Sequence, residues 1–180
     1  SWRRPTSSRA TSGRAAAPVA LDEPLREEYL DAAAWYVERL RTGRRPRFHH
    51  LAVRLRRLLA RSAQPSECGA GCGYLTVNPR GEIFACHREG DSRIGHVDGG
   101  VDQQLQAPWR DNRFYARARC PQCWLRHVCG GGCRWLGRQR TGDVRAADPL
   151  GCRLTEICTK AAAWVLSELT EAERKGLLNA

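Results

Sequence analysis

Nine of the 180 residues are cysteine, and all nine fall between residues 68 and 158: Cys68, Cys72, Cys86, Cys120, Cys123, Cys129, Cys133, Cys152 and Cys158. A stretch this dense in thiols is held together either by disulfides or by metal. Nine is odd, so complete disulfide pairing leaves one thiol over. Two sites of four thiolates use eight and leave one structural thiol. No charged segment followed by an apolar run and a small-residue cleavage site opens the chain, so the expected compartment is the cytoplasm, where thiols stay reduced and metal ligation is the expected use.

Charge and composition narrow the partners. Lysine and arginine total 30 against 19 acidic residues, and Lys160 and Lys175 are the only lysines, which leaves 28 arginines. A net charge of +11 can serve a nucleic-acid surface. Here the arginines are scattered through every segment instead of forming a stripe interleaved with aromatics, so nucleic acid is not the expected partner. No run of about 18 apolar residues appears, so no membrane span is expected. The chain begins at Ser1 and contains no Met, as expected of a part of a longer polypeptide.

Along the chain, residues 1–21 mix Ser, Arg, Ala and Pro without periodicity and are expected to be a flexible linker. From Asp22, a potential N-cap, Leu25, Tyr29, Ala32, Ala33, Tyr36, Val37 and Leu40 recur at helical spacing, and Gly43 closes the helix. Leu51, Leu55, Leu58 and Leu59 mark a second amphipathic helix, with Arg54, Arg56 and Arg57 assigned to its solvated face. Tyr74–Val77 and Glu82–Ala85 flank Asn78-Pro79-Arg80-Gly81, the chemistry of a type I turn ending in a left-handed residue, so a hairpin is expected. Closing it brings Cys86 back towards Cys68 and Cys72. Residues 87–107 read as a Gly- and Asp-rich loop, and residues 154–169 as a last helix with Cys158 on its apolar stripe, a core thiol.

The densest constellation is Cys120-Pro-Gln-Cys123, five residues, Cys129, three residues, Cys133, and a longer gap to Cys152. Thiolates at such short loop spacings can converge on one centre or on two adjacent ones. Gly130-Gly131-Gly132 fits that reading, because close backbone approach and N–H donation to sulfur favour residues without Cβ. Iron–sulfur clusters and zinc both select thiolates, and spacing alone leaves the two open.

These spacings, with Cys68-Gly-Ala-Gly, Gly73-Tyr74-Leu75, Asn78-Pro79-Arg80-Gly81-Glu82-Ile83, Cys86-His87-Arg88, Cys129-Gly-Gly-Gly-Cys133 and Asp148-Pro149-Leu150-Gly151-Cys152, resemble the SPASM domain. That domain is the C-terminal auxiliary-cluster module of radical SAM enzymes that modify peptides and proteins, and the resemblance spans about residues 65–170. It implies an α+β, loop-rich fold around two 4Fe-4S clusters, one held by Cys68, Cys72, Cys86 and Cys133 and the other by Cys120, Cys123, Cys129 and Cys152. Each cluster contributes a charge of about −2, which Arg88, Arg119 and Arg134 beside the ligands are candidates to answer. If Cys72 stands aside, the first cluster keeps one open iron.

The same resemblance divides the chain into the linker 1–21, a helical connector 22–63 leading from a catalytic barrel, the SPASM-like domain 64–170 and a tail 171–180. The Cys-x3-Cys-x2-Cys triplet that binds the SAM cluster is not in this sequence: Leu75 follows Cys72, and Leu136 follows Cys133, where its third thiol would stand. SAM therefore enters only through a radical SAM barrel, fused or separate, and this chain alone has no expected catalytic residue and cleaves no SAM. Its expected partners are that barrel and a peptide substrate. Its expected role is to position substrate and carry electrons. The competing readings are a zinc-binding interaction module and a stand-alone electron-transfer iron–sulfur protein.

Overall fold

A computed structural model describes residues 22–44, 46–60, 63, 65–88 and 90–178. The linker assigned to residues 1–21 and the side chain of the proposed cap Asp22 lie outside the described set. The fold is α+β: the described residues form seven α-helices, a four-stranded antiparallel sheet and long irregular connections.

Helix α1 (Asp22–Arg41) and α2 (His49–Ala60) pack against α6 (Pro149–Glu168). Their apolar stripes fuse into one core of Tyr29, Ala33, Tyr36, Val37, Leu51, Leu55, Ile157, Cys158, Ala161, Ala162, Val165 and Leu169. The helices before residue 63 therefore share a core with the C-terminal helix, burying faces that neither could satisfy alone. Gly43 ends α1 as expected, with φ +71° and its N–H on the Leu40 carbonyl at 3.0 Å. No helix is long and apolar enough to cross a membrane among the described residues.

The hairpin forms at the expected place, with β1 (Thr76–Val77) antiparallel to β2 (Glu82–Phe84) and Thr76 opposite Phe84. Asn78 Oδ1 accepts from the N–H groups of Arg80 and Glu82 at 3.0 and 3.1 Å, and Gly81 N donates to the Asn78 carbonyl at 2.9 Å. Gly81 sits at φ +79°, and a Cβ there would lie 2.8 Å from His96 Nε2 and Val97 Cγ2. Only glycine fits without displacing those neighbours.

The segment read as a loop over 87–107 is structured. Strand β3 (Arg93–His96) pairs with β2, β4 (Gly100–Val101) pairs with β3, and α3 (Gln103–Arg110) follows, its first turn capped by Asp102 Oδ1 on the N–H groups of Gln104 and Leu105. The sheet and α3 enclose a second core of Ala70, Ile83, Ala85, Cys86, Ile94, Trp109 and Val144. Short helices α4 (Arg126–Cys129) and α5 (Arg134–Thr141) follow, and Trp135 of α5 packs against this second core. The last helix begins five residues earlier than expected, because Asp148 caps it through Gly151 N at 2.8 Å and Pro149 occupies its first turn. Residues 171–178 of the expected tail form α7 (Glu171–Leu178), which packs on α2.

Candidate metal centre

Of the eight expected ligands, Cys86 belongs to the second core, Cys68 packs against it, and Cys152 lies on α6. All nine thiols are free among the described residues. Cys120 is buried in the loop before α4, Cys123 is half-buried, Cys129 ends α4, and Cys152 lies in the first turns of α6. Their thiols are within electrostatic reach of one another. Burial raises the Cys120 thiol, and Cys129 and Cys123 raise it further against the lowering effect of Arg117. Cys152 is exposed on one side, yet its thiol is pushed up to about 11, by burial first and then by Cys129, Cys120, Cys123 and Asp148.

The glycine run has the left-handed backbone its composition suggests. Gly130, Gly131 and Gly132 have φ of +69°, +96° and +71°, and the Gly131 N–H lowers the Cys129 thiol against the larger raising effect of burial. Left-handed backbone at three successive positions turns an N–H towards sulfur in a way that residues with side chains rarely permit.

The segments carrying Cys68, Cys72, Cys86 and Cys133 are stitched together by backbone hydrogen bonds. Gly71 N donates to the Ala85 carbonyl at 2.8 Å, and Glu67 N to the Gly130 carbonyl at 2.9 Å. The buried Arg134, next to Cys133, donates to the carbonyls of Ala70 and Trp109 and to Ser66 Oγ. Cys68 Sγ accepts from Ala70 N at 3.3 Å, and buried Cys86 lies beneath the Tyr74 hydroxyl. Cys72 is exposed in the turn after Gly71, and Cys133 opens α5 and lines a cavity of about 270 Å³ that also reaches Cys158. No three His, Cys, Asp or Glu side chains converge closely enough to hold a single metal ion among the described residues.

Three residues that matter here differ from the sequence reading. Arg54 and Arg57, assigned to a solvated face, clamp two ligand segments together: Arg54 Nη2 meets Glu67 Oε1 at 3.1 Å, Arg57 Nη1 meets Glu67 Oε2 at 2.5 Å, and both guanidinium groups donate to the Val128 carbonyl at 3.0 Å. Glu67 precedes Cys68 and Val128 precedes Cys129. The helical period does place Arg54 between Leu51, Leu55 and Leu58 on the buried face, so that signal was available. Replacing Glu67 by Gln leaves two cations facing a neutral amide in a mostly buried site. The expected loss is about 2 kcal/mol, read from the denaturant midpoint.

The third residue is Arg117. Of the arginines named as candidates to answer cluster charge, Arg119 is exposed, Arg88 lies over the Trp135 ring at 4.9 Å, and Arg134 is engaged by carbonyls. Arg117 is 2% exposed, and its Nε and Nη2 donate to Asn112 Oδ1 and the Val144 carbonyl at 3.0 Å. Burial lowers its pKa, and the groups acting against burial are the thiols of Cys120, Cys129 and Cys152. It lies against Gly131, whose added Cβ would fall 3.0 Å from Arg117 Nη1. The sulfur groups that act on this buried cation are those of Cys120, Cys129 and Cys152. That donor set beside a buried guanidinium fits a thiolate-bound group, because a bound metal would hold the sulfurs deprotonated.

No protein-family model matches the chain. It is 26% identical over 150 residues to a PqqA peptide cyclase of Xanthomonas axonopodis pv. citri, covering 78% of this chain and 39% of that protein. The PqqA peptide cyclase of Xanthomonas campestris pv. campestris strain 8004 is 28% identical over 97 residues, 48% of this chain and 26% of that one. The solved structure of polyhistidine-tagged anSMEcpe with bound AdoMet superposes with a TM-score of 0.59 at 13% identity, covering 88% of this chain and 44% of that one. The chain is similar to the SPASM-like part of a radical SAM maturase. The SPASM-like chain spans about two fifths of the length of the first of these cyclases, and its likeness to anSMEcpe is one of fold.

Proposed function

We propose that this chain is the auxiliary-cluster module of a radical SAM enzyme that modifies a peptide, and that it holds two 4Fe-4S clusters. The observation that supports the reading is that the thiols of Cys120, Cys123, Cys129 and Cys152 lie close enough to act on one another, with Cys120, Cys129 and Cys152 near the buried Arg117. Cys68, Cys72, Cys86 and Cys133 hold the first cluster, and the hydrogen-bonded segments that carry them support that assignment.

The clusters supply one-electron redox capacity and fixed negative charge. The chain's own residues do the rest. Arg117 offsets charge from within the fold, Gly131 N–H and Ala70 N–H orient and stabilise sulfur, and Arg54, Arg57 and Glu67 hold the two ligand segments at a fixed separation. A peptide substrate and a SAM-binding barrel are the partners, as the cyclase relatives suggest, and positioning that peptide while relaying electrons is the module's part in the reaction.

Anaerobic reconstitution of the chain is expected to load about eight irons and give a brown protein whose visible absorbance bleaches with reductant. A plateau near four irons removes the two-cluster reading. A colourless protein carrying zinc instead establishes the interaction-module alternative.

A further inference from the structure

The phenol of Tyr74 stands over the buried Cys86 thiol, twelve residues further along the chain. Its hydroxyl lies 4.0 Å from Cys86 Sγ, within reach of a hydrogen bond to sulfur. On its other side, His87 Nδ1 lies 3.3 Å from the same oxygen, the two rings tilted at 39° with centroids 6.0 Å apart. A phenol has one hydrogen to give and an oxygen that accepts. With sulfur on one side, which in its thiolate form only accepts, and an imidazole nitrogen on the other, the consistent arrangement has His87 Nδ1–H donating to Tyr74 Oη and Tyr74 O–H donating to sulfur. Tyr74 also packs against the core that contains Cys86, so the ring is held with its oxygen over that thiol.

We propose that Tyr74 is a positioning and tuning residue for the group held by Cys86, donating a hydrogen bond from its hydroxyl to that sulfur and so favouring the reduced, more negative form of the group. The inference rests on the iron–sulfur reading above. A hydrogen bond to a ligand sulfur stabilises added electron density, which raises the reduction potential of the cluster bound there. Among the described residues the Tyr74 hydroxyl engages none of Cys120, Cys123, Cys129 or Cys152, so the second cluster is left untouched and serves as an internal reference.

The test is a potentiometric titration of the reconstituted chain, followed by EPR, comparing the parent protein with Tyr74→Phe and His87→Ala. Tyr74→Phe keeps the ring and removes only the hydroxyl. The expected result is full iron loading and an unchanged thermal midpoint, with one of the two midpoint potentials moved downwards and the other unmoved. His87→Ala is expected to move the same potential in the same direction by a smaller amount, because it weakens the orientation of the phenol without removing it. Unmoved potentials in a fully loaded Tyr74→Phe protein overturn the inference while leaving the iron reading intact. So does an equal movement of both potentials, or a larger effect from His87→Ala. A parent chain that takes up no iron overturns the iron reading and this inference together.

Discussion

Removing iron with a chelator is expected to split the molecule's cooperativity. The helical core has twelve buried residues drawn from α1, α2, α6 and the turn that follows α6, and its one thiol, Cys158, is outside the eight proposed ligands. The core around the sheet has seven, one of them Cys86, and strands of only two to four residues, too little apolar area and too few ladder bonds to stand alone. Metal-free protein should therefore keep most of its far-ultraviolet helical signal and lose the dispersed methyl resonances of Ile83 and Ile94 and the ordered indole signal of Trp109. Restoring iron should restore them. Native dispersion of those three residues in the metal-free chain would show that the sheet region folds without metal.

Arg117→Met is expected to halve the iron content, from about eight to about four per chain, with the first cluster retained. The substitution keeps much of the side-chain volume and removes the buried charge along with its bonds to Asn112, Val144 and Ala146. Four thiolates brought together without that cation repel one another in a poorly solvated site, and the cost falls on the second set alone. Iron and acid-labile sulfide analysis reads the outcome directly. Full loading in the variant, with unaltered spectra, would mean that Arg117 serves only the carbonyls it binds.

The parts of this fold legible in the sequence are those specified by short-range chemistry. The hairpin is one, because Asn78, Pro79 and Gly81 each impose a dihedral or a hydrogen bond within four residues. The glycine run beside Cys133 is another. Strands β3 and β4 escaped for a physical reason: Gly95 and Gly100 suggest a loop, whereas Gly95 is required by packing, since a Cβ there would lie 2.2 Å from the Gly100 carbonyl oxygen. Helix α3 escaped because Pro108 and three glutamines dilute its apolar period, although Asp102 was a usable cap signal. The cysteines proposed as ligands are marked by their spacing. Their electrostatic setting is not, because Arg117 meets its partners 27 and 29 residues further along the chain, and no local pattern announces a contact of that range.

Helix α6 carries Cys152 in its opening turns and places Ile157, Cys158, Ala161, Ala162 and Val165 in the helical core. One rigid rod thus bears both the last cysteine of the second set and the central wall of the other core. If that set holds a cluster as proposed, its first three thiols emerge during synthesis ahead of a fourth that is delivered only when α6 docks on α1 and α2. Cluster closure and the completion of the helical body would then be a single late event, and a chain cut short before residue 152 would fail at both.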